Sequence, residues 1–173
     1  MYEHIPKPDR RPALFLTLLL SAASVCCMLP TSPALTVPLR ALGVLCALAA
    51  IMLAARFLLG GFSYAVGGDG NTDLTVTELR GVRRGRTVCR VSASGGKIER
   101  YSPAARSECR AEGISVINYC VDIFPAVSYI FIPAEALNAA KAPELAHKDE
   151  LCAIRFQPDA ALAELLENMS AAE

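Results

Sequence analysis

The chain has no tryptophan, only two histidines and no Cys-x-x-Cys pair among its seven cysteines. Each lack removes a class of function. Without Trp, and without basic residues interleaved with aromatics, no run of side chains is suited to stack bases. Lys plus Arg and Asp plus Glu number 17 each, so no net field recruits a polyanion, and nucleic acid is not an expected partner. His4 and His147 lie far apart, and Cys89, Cys109, Cys120 and Cys152 have no local ligand spacing, so no metal or other cofactor is expected. The odd cysteine count, with Cys26, Cys27 and Cys46 inside apolar stretches, reads as small hydrophobes in a reducing compartment. No catalytic residues can be nominated, because no Ser, His and carboxylate set can be assembled. The run beginning Asp69-Gly70-Asn71 starts like a calcium loop but has Leu74 where Gly is needed and Arg80 where a bidentate Glu is needed. Gly95-Gly96-Lys97 lacks the earlier glycine of a phosphate loop.

What the chain does have is apolar length. Residues 12–39 and 41–55 are uncharged and separated by the single Arg40. As helices over about 12–30 and 40–60, each rises roughly 27 Å or more, close to the hydrocarbon thickness of a bilayer. Arg56 near the end of the second can carry its guanidinium to the headgroups, and Pro30, Pro33 and Pro38 break the chain between the two. The expectation is an N-terminal tail over 1–11, a transmembrane hairpin over 12–61 and a separate domain over 62–173. Neither helix has a charge at its centre, which disfavours a transport pathway. A seam of small residues, Gly43, Ala47, Ala50 and Ala54, suits close approach to Ser21, Ala22 or Cys26 of the first helix.

Basic residues set the expected orientation. Lys7, Arg10 and Arg11 precede the first helix, Arg80, Arg83, Arg84, Arg86 and Arg90 follow the second, and only Arg40 lies between. The positive-inside tendency then gives a multi-pass protein of the cell membrane with both termini cytoplasmic. A competing reading makes the first stretch a cleaved signal peptide, with Ser32-Pro33-Ala34 as a loose cleavage site.

Past Gly61 the period changes from helical to alternating. Residues 62–66, 74–77, 87–92, 97–101, 114–123, 126–132 and 151–156 read as strands, with Gly/Asn turns at 67–71, 81–85 and 95–96. Residues 101–113 read as a polar loop or one helical turn, 134–140 as a short helix, and 141–150 as a charged connector. Asp159 can cap a final helix in which Leu162, Leu165, Leu166 and Met169 form one apolar stripe that must lie on a sheet.

Seven candidate strands and an amphipathic C-terminal helix, directly behind a helical hairpin, resemble the small bacterial membrane proteins that carry a pleckstrin-homology-like domain. The resemblance implies a mostly-β (α+β) domain, a split barrel of about seven antiparallel strands capped by the C-terminal helix. It further implies a module that binds or assembles and does not catalyse.

Charge is polarised within that domain. Residues 77–110 carry nine Lys or Arg against Glu78, Glu99 and Glu108, whereas residues 111–173 carry ten acids against Lys141, Lys148 and Arg155. The densest cluster, Arg80, Arg83, Arg84 and Arg86, falls on an expected turn close behind the second helix and is the candidate contact for the membrane or an acidic protein partner. The plainer account is a solvated tip that only helps orient the helices. Opposite charge in the two halves also allows a homo-oligomer. The functional expectation is a membrane-anchored interaction or assembly module. The alternative is a membrane-bound enzyme subunit completed by a partner chain, for which Tyr119, Asp122 and Arg155 would have to share a pocket.

Overall fold

The computed structural model describes residues 2–29, 33–68, 71–80, 84–141 and 152–170. They fall into two compact bodies, one comprising residues 8–61 with 122–124, the other comprising the N-terminal residues through Lys7, 62–121 and the chain from Pro125 onward.

In the first body, helix α1 spans Arg10–Met28 and α2 spans Pro33–Leu53. Asp9 caps α1 by accepting the Arg11 N–H at 3.1 Å, and Pro12 sits in the first turn, where a missing N–H leaves no bond unmade. The hydroxyls of Thr17 and Ser21 are satisfied within the helix, donating to the carbonyls of Ala13 and Thr17. The second helix starts earlier than its prolines suggest, and Pro38 lies inside it. An interior proline forfeits one backbone bond at about 3 kcal/mol in water, yet an apolar setting where any unpaired peptide group costs several kcal/mol still favours helix around it. After α2, residues Ala54–Leu58 form a single π turn in which the Leu59 N–H reaches the Ala54 carbonyl, five residues back, at 3.1 Å. Both helices are long and apolar enough to cross a membrane. Their outward faces carry large apolar side chains, among them Phe15 (67% exposed), Ile51 (64%) and Met52 (72%). Of the small-residue seam, Gly43 meets the first helix: a Cβ there would lie 3.1 Å from Cys27 Cβ and 3.2 Å from the Ser24 carbonyl oxygen, just beside the expected Ser21, Ala22 and Cys26.

The second body contains two four-stranded sheets. The first is ordered β1 (Tyr2–His4), β2 (Gly60–Gly68), β3 (Asn71–Arg80), β4 (Arg84–Ser92). Residues 2–4, expected within an N-terminal tail, therefore form an edge strand. They pair antiparallel with β2, Tyr2 opposite Val66 and His4 opposite Tyr64. The second sheet is ordered β5 (Lys97–Arg100), β7 (Tyr129–Ile132), β8 (Cys152–Phe156), β6 (Ser115–Asn118). Within it β6 runs parallel to β8. Eight strands are thus described where about seven antiparallel ones are expected, and they form no closed barrel. The parallel pair follows from α3 (Pro103–Ala111), a helix of nine residues that lies between β5 and β6 where a polar loop or one helical turn is expected. Ser102 caps it, accepting the Ala105 N–H at 3.0 Å, and Gly113 at φ +77° ends it, with the Ile114 N–H returning to the Cys109 carbonyl at 2.8 Å.

The expected strand over 114–123 stops at Asn118, because the chain there finds other partners. The Asn118 side-chain oxygen accepts the Cys120 N–H at 3.0 Å and Gln157 accepts the Val121 N–H at 2.8 Å, after which Pro125 offers no donor. The second sheet is covered on both faces. Phe131, Ile154 and Phe156 pack with Phe62, Tyr64, Val66, Leu74 and Val76 of the first sheet and with Leu162 and Leu166 of helix α5 (Ala160–Ser170). Ile130, Ile132 and Ala153 pack with Ala105 and Cys109 of α3 and Ala136 of α4 (Ala134–Lys141). Full burial of each such large side chain contributes about 1.5–3 kcal/mol. In α5 the expected stripe holds for Leu162 and Leu166, with Met169 at its margin, whereas Leu165 lies at the surface. Most of the connector over 141–150, with His147, is outside the described residues.

Candidate functional site

The arginine cluster lies at the end of a long two-stranded arm. In β3–β4 the register places Arg80 opposite Arg84 and Glu78 opposite Arg86, with one extra residue inserted in β4 between the partners of Val76 and Thr77. Cys89 and Val91 on the core side of that bulge pack against the buried cluster, while Arg86 beyond it is exposed. Hence the backbone positions of Arg80, Arg84 and Arg86 fall at one end of an edge hairpin, and Arg83 is outside the described residues. Glu78 offsets part of that charge across the ladder, and Arg90 is engaged by Asp73 at 2.7 Å. Positive charge on an exposed edge strand also opposes strand addition by another chain.

A second constellation joins the two ends of the chain. The carboxylate of Asp159 caps α5, Oδ1 accepting the Leu162 N–H at 2.9 Å, while Oδ2 accepts the Tyr2 hydroxyl at 2.5 Å and lies 3.3 Å from His4 Nδ1. His4 stacks beside Tyr64, whose hydroxyl donates to the Tyr119 carbonyl at 2.8 Å and whose ring meets Phe156 edge-on. Burial pushes the Asp159 carboxyl up, but the Tyr2 hydroxyl, the Leu162 N–H and the nearby His4 together outweigh it and hold the carboxyl below its usual value. Donation to that carboxylate, with some burial, raises the Tyr2 phenol above its usual value. Sequence reading finds the cap at Asp159 but not its partners, since nothing local marks Tyr2 or His4.

A third feature is a cavity of about 340 Å³ lined by Arg106 and Arg110 of α3 and by Gly113, Ile114, Ser115 and Val116 leading into β6. The two arginines are spaced i, i+4, which puts them on one side of the helix; that spacing is visible in the sequence once a helix is assigned there. Guanidinium groups beside a strand edge can hold an anion, but they supply no nucleophile–base pair.

Of the residues named for an enzyme subunit, Tyr119 donates its backbone N–H to the Arg155 carbonyl at 2.8 Å. Arg155 lies over the Tyr101 ring at 3.5 Å and bonds Ser128, Tyr119 meets the Phe62 ring edge-on, and Asp122 accepts the Asp9 N–H at 2.8 Å. Among the described residues no three His, Cys, Asp or Glu side chains form a metal-binding group. All seven cysteines are free thiols, with Cys109 and Cys120 buried, and burial raises the Cys89 and Cys109 thiols. Comparison of the chain with family models, with curated proteins and with solved structures finds no match.

Proposed function

We propose that this chain is a membrane-anchored, non-catalytic interaction module whose α+β domain is held at the bilayer by the helical hairpin, with Arg80, Arg83, Arg84 and Arg86 docking on anionic lipid. The observation that carries the reading is the pairing of β1 with β2. The strand before α1 and the strand after α2 are adjacent in one sheet, so both flanks of the apolar hairpin belong to one folded body, which supports a hairpin that would enter and leave a membrane on the same side. By the charge rule that side is the cytoplasm, where the leaflet is anionic. The same pairing disfavours a cleaved first helix, because cleavage would remove an edge of the sheet. Each arginine near such a surface contributes about 1 kcal/mol, weakened by salt over a Debye length of about 10 Å at 0.1 M. A C-terminal helix laid on the core is what the pleckstrin-homology-like resemblance implies, whereas the parallel β6–β8 pair and the lack of a closed barrel among the described strands depart from it.

Because the chain has no Trp, a single Val82→Trp variant reports on the arm. Full-length protein reconstituted in neutral vesicles and in vesicles containing phosphatidylglycerol is expected to show blue-shifted emission only in the latter, lost at high salt and in an Arg83→Ala, Arg84→Ala, Arg86→Ala background. Emission indifferent to lipid charge sinks the lipid reading and turns the search to an acidic protein.

A further inference from the structure

Three residues of the β6–β7 connection, Asp122, Ile123 and Phe124, group with the helical hairpin. The Asp122 carboxylate accepts the backbone N–H of Asp9, the capping residue of α1, at 2.8 Å. A carboxylate there is favoured by the positive end of the helix dipole, so the turn is fixed at the N-terminal end of α1. Two residues on, Phe124 is 75% exposed, more so than the outward Phe15 of α1. An aromatic this exposed, on a turn tethered to the first residues of a lipid-length helix, is matched in chemistry by the bilayer that the helix would enter. Arg10 and Arg11 mark the headgroup level there, and the exposed Leu14 and Phe15 begin the apolar band within about two helical turns.

We infer that the Asp122–Phe124 turn is an additional membrane contact, with Phe124 inserted at the boundary between headgroups and acyl chains beside the N-terminus of α1. The inference rests on the reading of α1 as membrane-spanning, and its occupant is the bilayer already engaged by the hairpin. Such a wedge would hold the β6–β7 connection at the membrane without any specific lipid headgroup.

The test again uses the missing tryptophan. Full-length Phe124→Trp and Phe15→Trp proteins, each in nanodiscs of ordinary or acyl-brominated phosphatidylcholine, are compared by emission and quenching. The expected result is blue-shifted, bromine-quenched emission from both, with quenching at position 124 lost when Asp122→Ala releases the turn. Quenching at 15 without quenching at 124 overturns the wedge and leaves the hairpin standing. Absence of quenching at both positions overturns the membrane reading itself and the wedge with it.

Discussion

The Tyr2 hydroxyl donates to the Asp159 carboxylate across 157 positions of sequence. The one side chain therefore closes the first sheet's edge strand onto the cap of the last helix. Replacing Asp159 with Ala removes the cap and leaves the Tyr2 hydroxyl without this acceptor, which should cost about 1–2 kcal/mol. Tyr2→Phe removes one hydrogen bond to a charged group and should destabilise in the same direction. The double variant should be less destabilised than the sum, since both act on one carboxylate. Thermal unfolding of the full chain in detergent, read by near-ultraviolet dichroism, checks the cycle, and strict additivity would argue against the latch.

The same pair predicts stability limits at both ends of the pH scale. Asp159 is held below its ordinary 3.8, so its contribution is present above that value and disappears as pH falls through the lower folded-state value. Tyr2 is raised above its ordinary 10.0, so its contribution is present below 10.0 and disappears as pH climbs through the raised value. Melting temperatures measured across pH should show the acid fall blunted in Asp159→Asn and the alkaline fall blunted in Tyr2→Phe.

Gly43 is a point of close approach between the two helices of the hairpin. Its hypothetical Cβ lies 3.1–3.2 Å from Cys27, Met28 and Ser24. Gly43→Leu should overpack this interface by about 1–3 kcal/mol, whereas Val44→Leu on the exposed face should be close to neutral. Proteolysis of the two variants in micelles, followed by the lifetime of the hairpin fragment, distinguishes them.

Gly96 makes the corresponding test in the domain. A methyl there would lie 2.4 Å from Phe131 Cζ, in the middle of the buried cluster. Gly96→Ala should lower the melting temperature of the domain by a shift corresponding to about 1–3 kcal/mol. The paired variant Gly96→Ala, Phe131→Leu should recover part of the loss, which a purely backbone effect at position 96 would not allow.

The elements that carry their own period are legible in the sequence. Both long helices, the strands of the β3–β4 arm and the capped helix after Asp159 can be read locally, because burial of one face imposes spacing on consecutive residues. Tyr2–His4 cannot, since three residues hold no period and become a strand only through Val66, Ala65 and Tyr64. The α3 helix hides behind its polar composition, although Ser102 followed by Pro103 is a legible start signal. Strand β6 ends at Asn118 because of side chains at 118 and 157, one of them far along the chain, that take over its backbone donors. For the candidate contacts, the turn glycines locate the arginine cluster, but the tether between Asp9 and Asp122 joins residues 113 positions apart and has no local sign.

The adjacency of β1 and β2 bears on how the molecule can be handled. A fragment begun behind Gly61 would shed the two long apolar helices and, with them, the three-residue flank that satisfies the main-chain groups of Tyr64–Val66. Left bare, that stretch is a ready template for a neighbouring copy. Preparations of the severed domain should clump unless a Tyr2–His4 peptide is supplied in trans or grafted ahead of Phe62 through a short linker.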